Sequence, residues 1–194
     1  MNIEEIKVKL KKMVSKERFE HSINVAQVAQ RLALKYGGDI TKAEVAGLLH
    51  DCAKDLDYST QKKMLIKYNI KIDKFSQKIP KLLHPLIGAA IAEKEFNIKD
   101  PIILKAIRVH STGAPRMSLL DKIIYLSDKI EPLRNNDGIE EVRKIAEFSL
   151  DKAVLKVMDS GLLHLIRRGL LIHPATIGAR NNVLAKVALL DAGK

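Results

Sequence analysis

Apolar residues recur at helical spacing along almost the whole chain, and strict alternation of apolar with polar residues is nearly absent. Val25, Val28, Ala29, Leu32 and Tyr36 form one stripe, and Ile139, Val142, Ala146, Ala153 and Val157 mark later ones. A period near 3.6 gathers side chains on one face of a helix, whereas a half-buried strand needs a period of two. The fold class this implies is all-α, a helical bundle. The punctuation agrees. Gly37-Gly38-Asp39 is expected to close one helix and cap the next, and Pro85 to stand at the first position of a helix after His84. Pro101, Pro115, Pro132 and Pro174 break later segments, and from HPATIGARNN onward the chain reads as a loop followed by a closing helix.

With 194 residues and no linker rich in Pro, Gly or Ser, a single domain over 1–194 is expected. The sequence is 46% hydrophobic and 29% charged, with few aromatic residues and no Trp, which suits a core of Leu, Ile, Val and Ala. The formal charge of +11 favours anionic ligands, although much of it lies in scattered residues such as Lys7, Lys9, Lys11 and Lys12, which read as solvated. The lone Cys52 excludes an internal disulfide and thiol-based zinc sites. No run approaches the roughly 18 apolar residues of a membrane span, and the amphipathic N-terminal stretch lacks the features of a signal peptide. No membrane association and a cytoplasmic location are expected.

The residues that carry chemistry are acidic and imidazole groups set inside apolar runs. His21 lies four residues before Val25 and continues the buried stripe of its helix. His50 and Asp51 stand side by side in GLLHDCAKDL, and on a helix they diverge by about 100°, so both reach one centre only in the groove between them. Lys54 follows one turn later, where its ammonium can meet an anion held at that centre. Asp128 comes four residues after Ile124 near the end of an apolar helix and is expected to turn inward. A buried carboxylate without a partner is costly. Two imidazoles and two carboxylates from separate helices therefore point to a shared cation, with iron, manganese or zinc suiting the nitrogen and oxygen donors.

His21, the His50-Asp51 doublet and Asp128, in the order H…HD…D on successive helices, resemble the HD-domain metal phosphohydrolases. His84 in LLHPLIGA, His110 in VHSTGAP, SLLDKIIYLSD, IEPLR and HPATIGARN sharpen the likeness. From Arg18 to Asn181 the chain is similar to the YqeK-type symmetrical bis(5'-nucleosyl)-tetraphosphatases, with Lys129 and Leu133 departing from what that branch leads one to expect. The resemblance implies hydrolysis of diadenosine tetraphosphate to two ADP by a metal-bound hydroxide attacking phosphorus, with iron as the expected metal and manganese or another transition metal as the alternative. It implies His21, His50, Asp51 and Asp128 as metal ligands. It casts Asp51, Lys54, His84 and His110 as catalytic, with His84 and His110 either binding a second ion bridged by Asp51 or contacting phosphate, so one or two ions stay open.

Substrate binding falls by the same resemblance to Arg18, Lys54, His84, His110, Ser111, Asp128, Arg134, His173, Thr176 and Arg180. Arg18 shares a helix face with His21, and Arg134 follows the Pro132 break near Asp128. His173 to Gly178 would line the adenine or ribose pocket, and residues 170–194 would close the nucleotide site. Glu131 is expected to orient a ligand or a neighbouring Arg, and His164, in GLLHLI, to be a core or interface residue. Ser111, Thr112 and Gly113 also fit a plain helix stop. The implied partners are a dinucleoside polyphosphate substrate and ADP product, with homodimerisation left open and nucleic acid not expected. Two competing readings are an HD phosphohydrolase acting on other nucleotides or cyclic dinucleotides, and a basic nucleic-acid-binding module with a structural metal.

Overall fold

Most helices begin at a side chain able to accept a backbone N–H. Asn2 caps α1 (Ile3–Met13) in a reciprocal box with Glu5, Ser15 caps α2 (Lys16–Tyr36), and Asp39 caps α3 (Ile40–Leu49). Asp57 caps α4 (Tyr58–Lys67), and two short 3-10 turns at Ser76–Lys78 and Pro80–Leu82 lead into α5 (Leu83–Glu95). Asp100 caps α6 (Pro101–Val109), and Ser118 and Asp121 box the start of α7 (Leu119–Ile130). There follow α8 (Ile139–Ala146), α9 (Leu150–Arg167) behind Ser149, and α10 (Pro174–Ala192). Each such cap stabilises its helix by about 0.5–2 kcal/mol over alanine. The structure, a computed structural model, describes residues 1–192, and among these there is no strand. The all-α expectation holds.

At the centre stands α7, in which every residue from Leu120 to Asp128 is buried. A helix covered all round belongs inside the core, and α7 packs against α2, α3, α6 and α9. Ile123, Ile124 and Leu126 are fully buried, each contributing about 1.5–3 kcal/mol relative to exposure. The most extensive helix pair is α2 with α3. Their approach is set by Gly47, where an added Cβ would lie 2.6 Å from the Ala26 Cα.

Several local expectations are corrected. The His50-Asp51 doublet does not lie within a helix: α3 ends at Leu49, His50 is its C-cap, and the next bonds tighten to three-residue steps, Cys52 N–H to Leu49 O and Lys54 N–H to Asp51 O. Pro85 is the third residue of α5 rather than the first, a position where the missing N–H still has no intrahelical partner to lose. The tail is helical from Pro174, because the His173 ring accepts the Ala175 N–H at Nδ1 (3.1 Å) and caps the helix early. Of the loop expected from His173 onward only His173 itself lies outside the helix, and residues 193 and 194 of that segment lie outside the described residues.

Lys7 and Lys9 are not free in solvent: Lys7 pairs with Glu4 and Glu44, and Lys9 sits over the Phe96 ring with its ammonium on the Glu95 carbonyl. His164 is exposed on α9 rather than in the core. Among the described residues no helix is long and apolar enough to cross a membrane.

Gly47→Ala is expected to destabilise the protein by about 1–3 kcal/mol, read as a lower Tm in a thermal melt, because the new methyl meets backbone rather than a side chain that can swing away.

Candidate metal centre

Five helices send their ends or inner faces to one place. Arg18 and His21 come from the first turns of α2, His50 from the end of α3, and Asp51 and Lys54 from the turn that follows. His84 lies in the first turn of α5, His110 caps the C-terminus of α6, and Asp128 and Glu131 close α7. His21, His50, Asp51, Asp128, His84 and His110 are all buried, none more than 7% exposed.

They form two groups that share Asp51: His21, His50, Asp51 and Asp128 in one, Asp51, His84 and His110 in the other. In the first, His21 Nε2 lies 3.2 Å from His50 Nε2 and 3.2 Å from Asp128 Oδ1, and the Asp51 Oδ2 is 3.7 and 3.6 Å from the two rings. In the second, Asp51 Oδ1 is 3.0 Å from His84 Nε2 and 3.3 Å from His110 Nε2, which are 3.2 Å apart. The carboxylate of Asp51 thus turns one oxygen to each group.

The outer nitrogens settle the tautomers. His50 Nδ1 donates to Gly47 O (2.7 Å), His84 Nδ1 to Lys81 O (2.7 Å) and His110 Nδ1 to Ile107 O (2.8 Å). Carbonyls only accept, so in each ring the proton is on Nδ1 and the Nε2 lone pair faces inward. Each acceptor is three residues upstream of its histidine. At the ends of α3 and α6 these carbonyls belong to the last turn, which lacks helical partners, so one bond satisfies the helix end and orients the ring. His21 reaches the same state through Glu131 Oε1 (3.2 Å).

Lone pairs facing lone pairs and carboxylates at such distances repel unless a cation lies among them. Asp51 Oδ1 is buried and has no hydrogen-bond partner among the described residues, the mark of an atom that expects one. Two ligands about 2.1 Å from a common ion and about 90–120° apart stand roughly 3.0–3.6 Å from each other, close to the 3.0 to 3.7 Å seen here. The donors suit a divalent cation.

Burial would push the Asp51 and Asp128 carboxyls up, but Lys129 beside Asp128, and a proton or cation held among the imidazoles, outweigh it and hold both well below the usual carboxylate range. Burial, against the pull of Asp51, takes His84 down to about 4 and lowers His110, so these rings are neutral at pH 7. At His50 burial is overcome by the Asp51 and Asp128 charges, which raise it.

A family model described as HD domain matches residues 18–133. Two curated relatives named symmetrical bis(5'-nucleosyl)-tetraphosphatase are similar over nearly the whole chain. The Bacillus subtilis protein is 34% identical over 176 residues, 91% of this chain and 94% of its own, and that of Staphylococcus aureus 36% identical over 183 residues, 93% and 94%. The chain belongs to the HD-domain family, in its symmetrical bis(5'-nucleosyl)-tetraphosphatase branch. A solved structure from Clostridium acetobutylicum, described as a predicted HD superfamily hydrolase involved in NAD metabolism, superposes with a TM-score of 0.91 at 38% identity, covering 96% of this chain and 98% of that one.

For an HD-domain protein of this branch the surrounding cations are informative. Arg18 Nη1 donates to Asp51 Oδ2 (2.7 Å), Arg134 Nη2 to Asp128 Oδ1 (2.8 Å), and Lys54 Nζ to His84 Nε2 (3.1 Å). Lys129, placed at the sequence level only as a departure, donates to Asp128 Oδ2 at 2.6 Å; its position directly after the acidic residue was the one available signal. The Ser111 hydroxyl donates to His110 Nε2 (3.0 Å), so Ser111 joins the site.

The C-terminal residues stand outside this cluster. His173 has the opposite tautomer to the four site rings, with Nδ1 accepting from Ala175 and Nε2 donating to Asp73 (3.2 Å). Thr176 N–H bonds His173 O, and Arg180 Nε pairs with Asp159 at 2.7 Å. The three backbone carbonyls that orient the rings carry no side-chain signature and escape sequence reasoning altogether.

Glu131→Gln keeps the shape of the side chain but weakens the hold on His21. Its affinity for a divalent ion, measured by equilibrium dialysis, is expected to fall about 10- to 100-fold.

Proposed function

We propose that this protein is a divalent-metal-dependent hydrolase that cleaves diadenosine tetraphosphate symmetrically, releasing two ADP. The observation that carries the reading is the shared carboxylate of Asp51, which offers one oxygen to each of two buried imidazole pairs, in a chain whose relatives are named for this reaction. His21, His50, Asp51 and Asp128 would hold one ion, and Asp51, His84 and His110 a second. Iron is the expected metal and manganese the next, since the donors mix imidazole with carboxylate and the lone thiol, Cys52, is buried and turned to the Gly88 carbonyl. Such an ion would lower the pKa of a bound water to about 7 and draw charge from phosphoryl oxygens.

The chain's own groups do the rest. Glu131 and the carbonyls of Gly47, Lys81 and Ile107 keep the proton on each Nδ1, so that no Nε2 is lost to protonation or ring rotation. Lys54, at the rim and 38% exposed, can swing from His84 to a phosphoryl oxygen and offset the charge that grows there during in-line attack. Arg18 and Arg134 hold Asp51 and Asp128 while keeping further N–H groups for the tetraphosphate chain. His110 and Ser111 sit at the same end as His84.

Residues 1–194 would act as one unit, with 170–194 closing the nucleotide site. In support, α10 stands on the loop that follows His110: Gly178 faces Pro115, Gly113 faces Ala179, and the Arg116 N–H bonds Asn182. A buried reduced thiol at Cys52 accords with a cytoplasmic protein.

Metal-replete protein incubated with diadenosine tetraphosphate is expected to give ADP as the sole nucleotide product on anion-exchange chromatography. AMP together with ATP would overturn the symmetric reading. Asp51→Asn should lower kcat by more than the about 10- to 100-fold typical of losing an outer partner, because it weakens both halves of the site at once.

A further inference from the structure

Beside His84 the surface folds into a cleft of about 490 Å³, walled by Lys54, Tyr58, Gln61, Pro80, Lys81 and His84, a volume in the range of small-ligand pockets. His84 and Lys54 tie it to the Asp51–His84–His110 end of the site. Three of the other walls, Tyr58, Gln61 and Pro80, have chemistry that phosphate binding does not call for. Tyr58, the first residue of α4, is 47% exposed. The ring borders the cleft, and the Lys62 ammonium, itself outside the wall, lies 4.5 Å from the ring centroid. Pro80 adds a second apolar surface.

Gln61 is the more telling residue, being only 9% exposed although it is an amide. Its Nε2 donates to the Leu56 carbonyl (2.9 Å), and because a carbonyl cannot donate, this bond fixes which end of the amide is which. One N–H is used there. The second N–H and the Oε1 acceptor have no bond to any described residue, and Gln61 stands in the cleft wall.

We propose that the cleft is a nucleoside subsite that selects adenine, with the base stacked on Tyr58 and its amino edge read by Gln61. Adenine presents a donor, the exocyclic amino group, beside a ring-nitrogen acceptor, whereas the corresponding edge of guanine presents two acceptors. The acceptor and donor left on Gln61 match the first and set Oε1 against O6 of the second. Lys81 serves twice: it belongs to the wall, and its carbonyl orients His84. The inference rests on the tetraphosphatase reading for the phosphate chain that would lead from the Asp51 end into the cleft.

The test is calorimetric titration of ADP and GDP into the wild-type protein and into Tyr58→Ala, Tyr58→Phe and Gln61→Met, alongside steady-state cleavage of diadenosine and diguanosine tetraphosphate. Tyr58 is exposed enough for its truncation to leave the fold standing, which a thermal melt verifies. Tyr58→Ala is expected to weaken ADP binding and raise KM about tenfold, the loss of one stacked base, with kcat within about twofold of wild type. Tyr58→Phe should keep both values, and Gln61→Met should erase the preference for ADP over GDP. If the wild type splits diadenosine tetraphosphate into two ADP while Tyr58→Ala and Gln61→Met bind ADP and GDP as the wild type does, the subsite is overturned and the activity stands. If ADP binding depends on Tyr58 and Gln61 as described but no dinucleoside tetraphosphate is cleaved, the activity is overturned and the subsite stands.

Discussion

The site depends on four imidazole rings that are not free to turn. Each spends its Nδ1 proton on a fixed acceptor, Gly47, Lys81 and Ile107 through their carbonyls and Glu131 through its carboxylate. What remains is four inward lone pairs around the two oxygens of Asp51. In a free histidine the two neutral tautomers interconvert, and a ring that flipped would present a proton where a lone pair is needed. Here the same three-residue backbone bond, used three times at helix ends or turns, removes that freedom without a dedicated side chain.

The rest of the structure can be seen as supporting this arrangement. Asp128 is carried by the most deeply buried helix, so its carboxylate has no room to relax away from the rings. Burying two acidic groups is unfavourable in an apolar interior, and the protein offsets it with a ring of cations: Arg18 on Asp51, Lys129 and Arg134 on Asp128. Those cations are partly exposed to solvent, where an anionic substrate would arrive. The same charges therefore support the acidic groups when the site is empty of substrate and draw polyphosphate toward it when substrate is near.

Much of this was legible in the sequence, for definite reasons. Helical periodicity is strong throughout, so the fold class and the inward direction of His21 and Asp128 follow from spacing to neighbours such as Val25 and Ile124. His84 and His110 were placed at helix boundaries because prolines and glycines mark those boundaries. The exact end of α3 was not legible, since His50 and Asp51 continue an apolar helical pattern and nothing in their side chains announces the tighter turn. Nor was the start of α10, because a histidine that caps by its ring nitrogen is not among the usual capping residues. Tyr58 and Gln61 carry no signal of a site in the sequence, since neither is a metal-ligating type and α4 is brought beside His84 by its packing on α5.

Gly47 joins two requirements that are usually separate. Its bare Cα lets α2, which carries Arg18 and His21, come down on α3, and its carbonyl holds the ring of His50 three residues later. Helix spacing and ligand aim are thus written into one residue, leaving no slack between scaffold and chemistry. A shift of the backbone at this one position would move the α2 ligand and the His50 ring together.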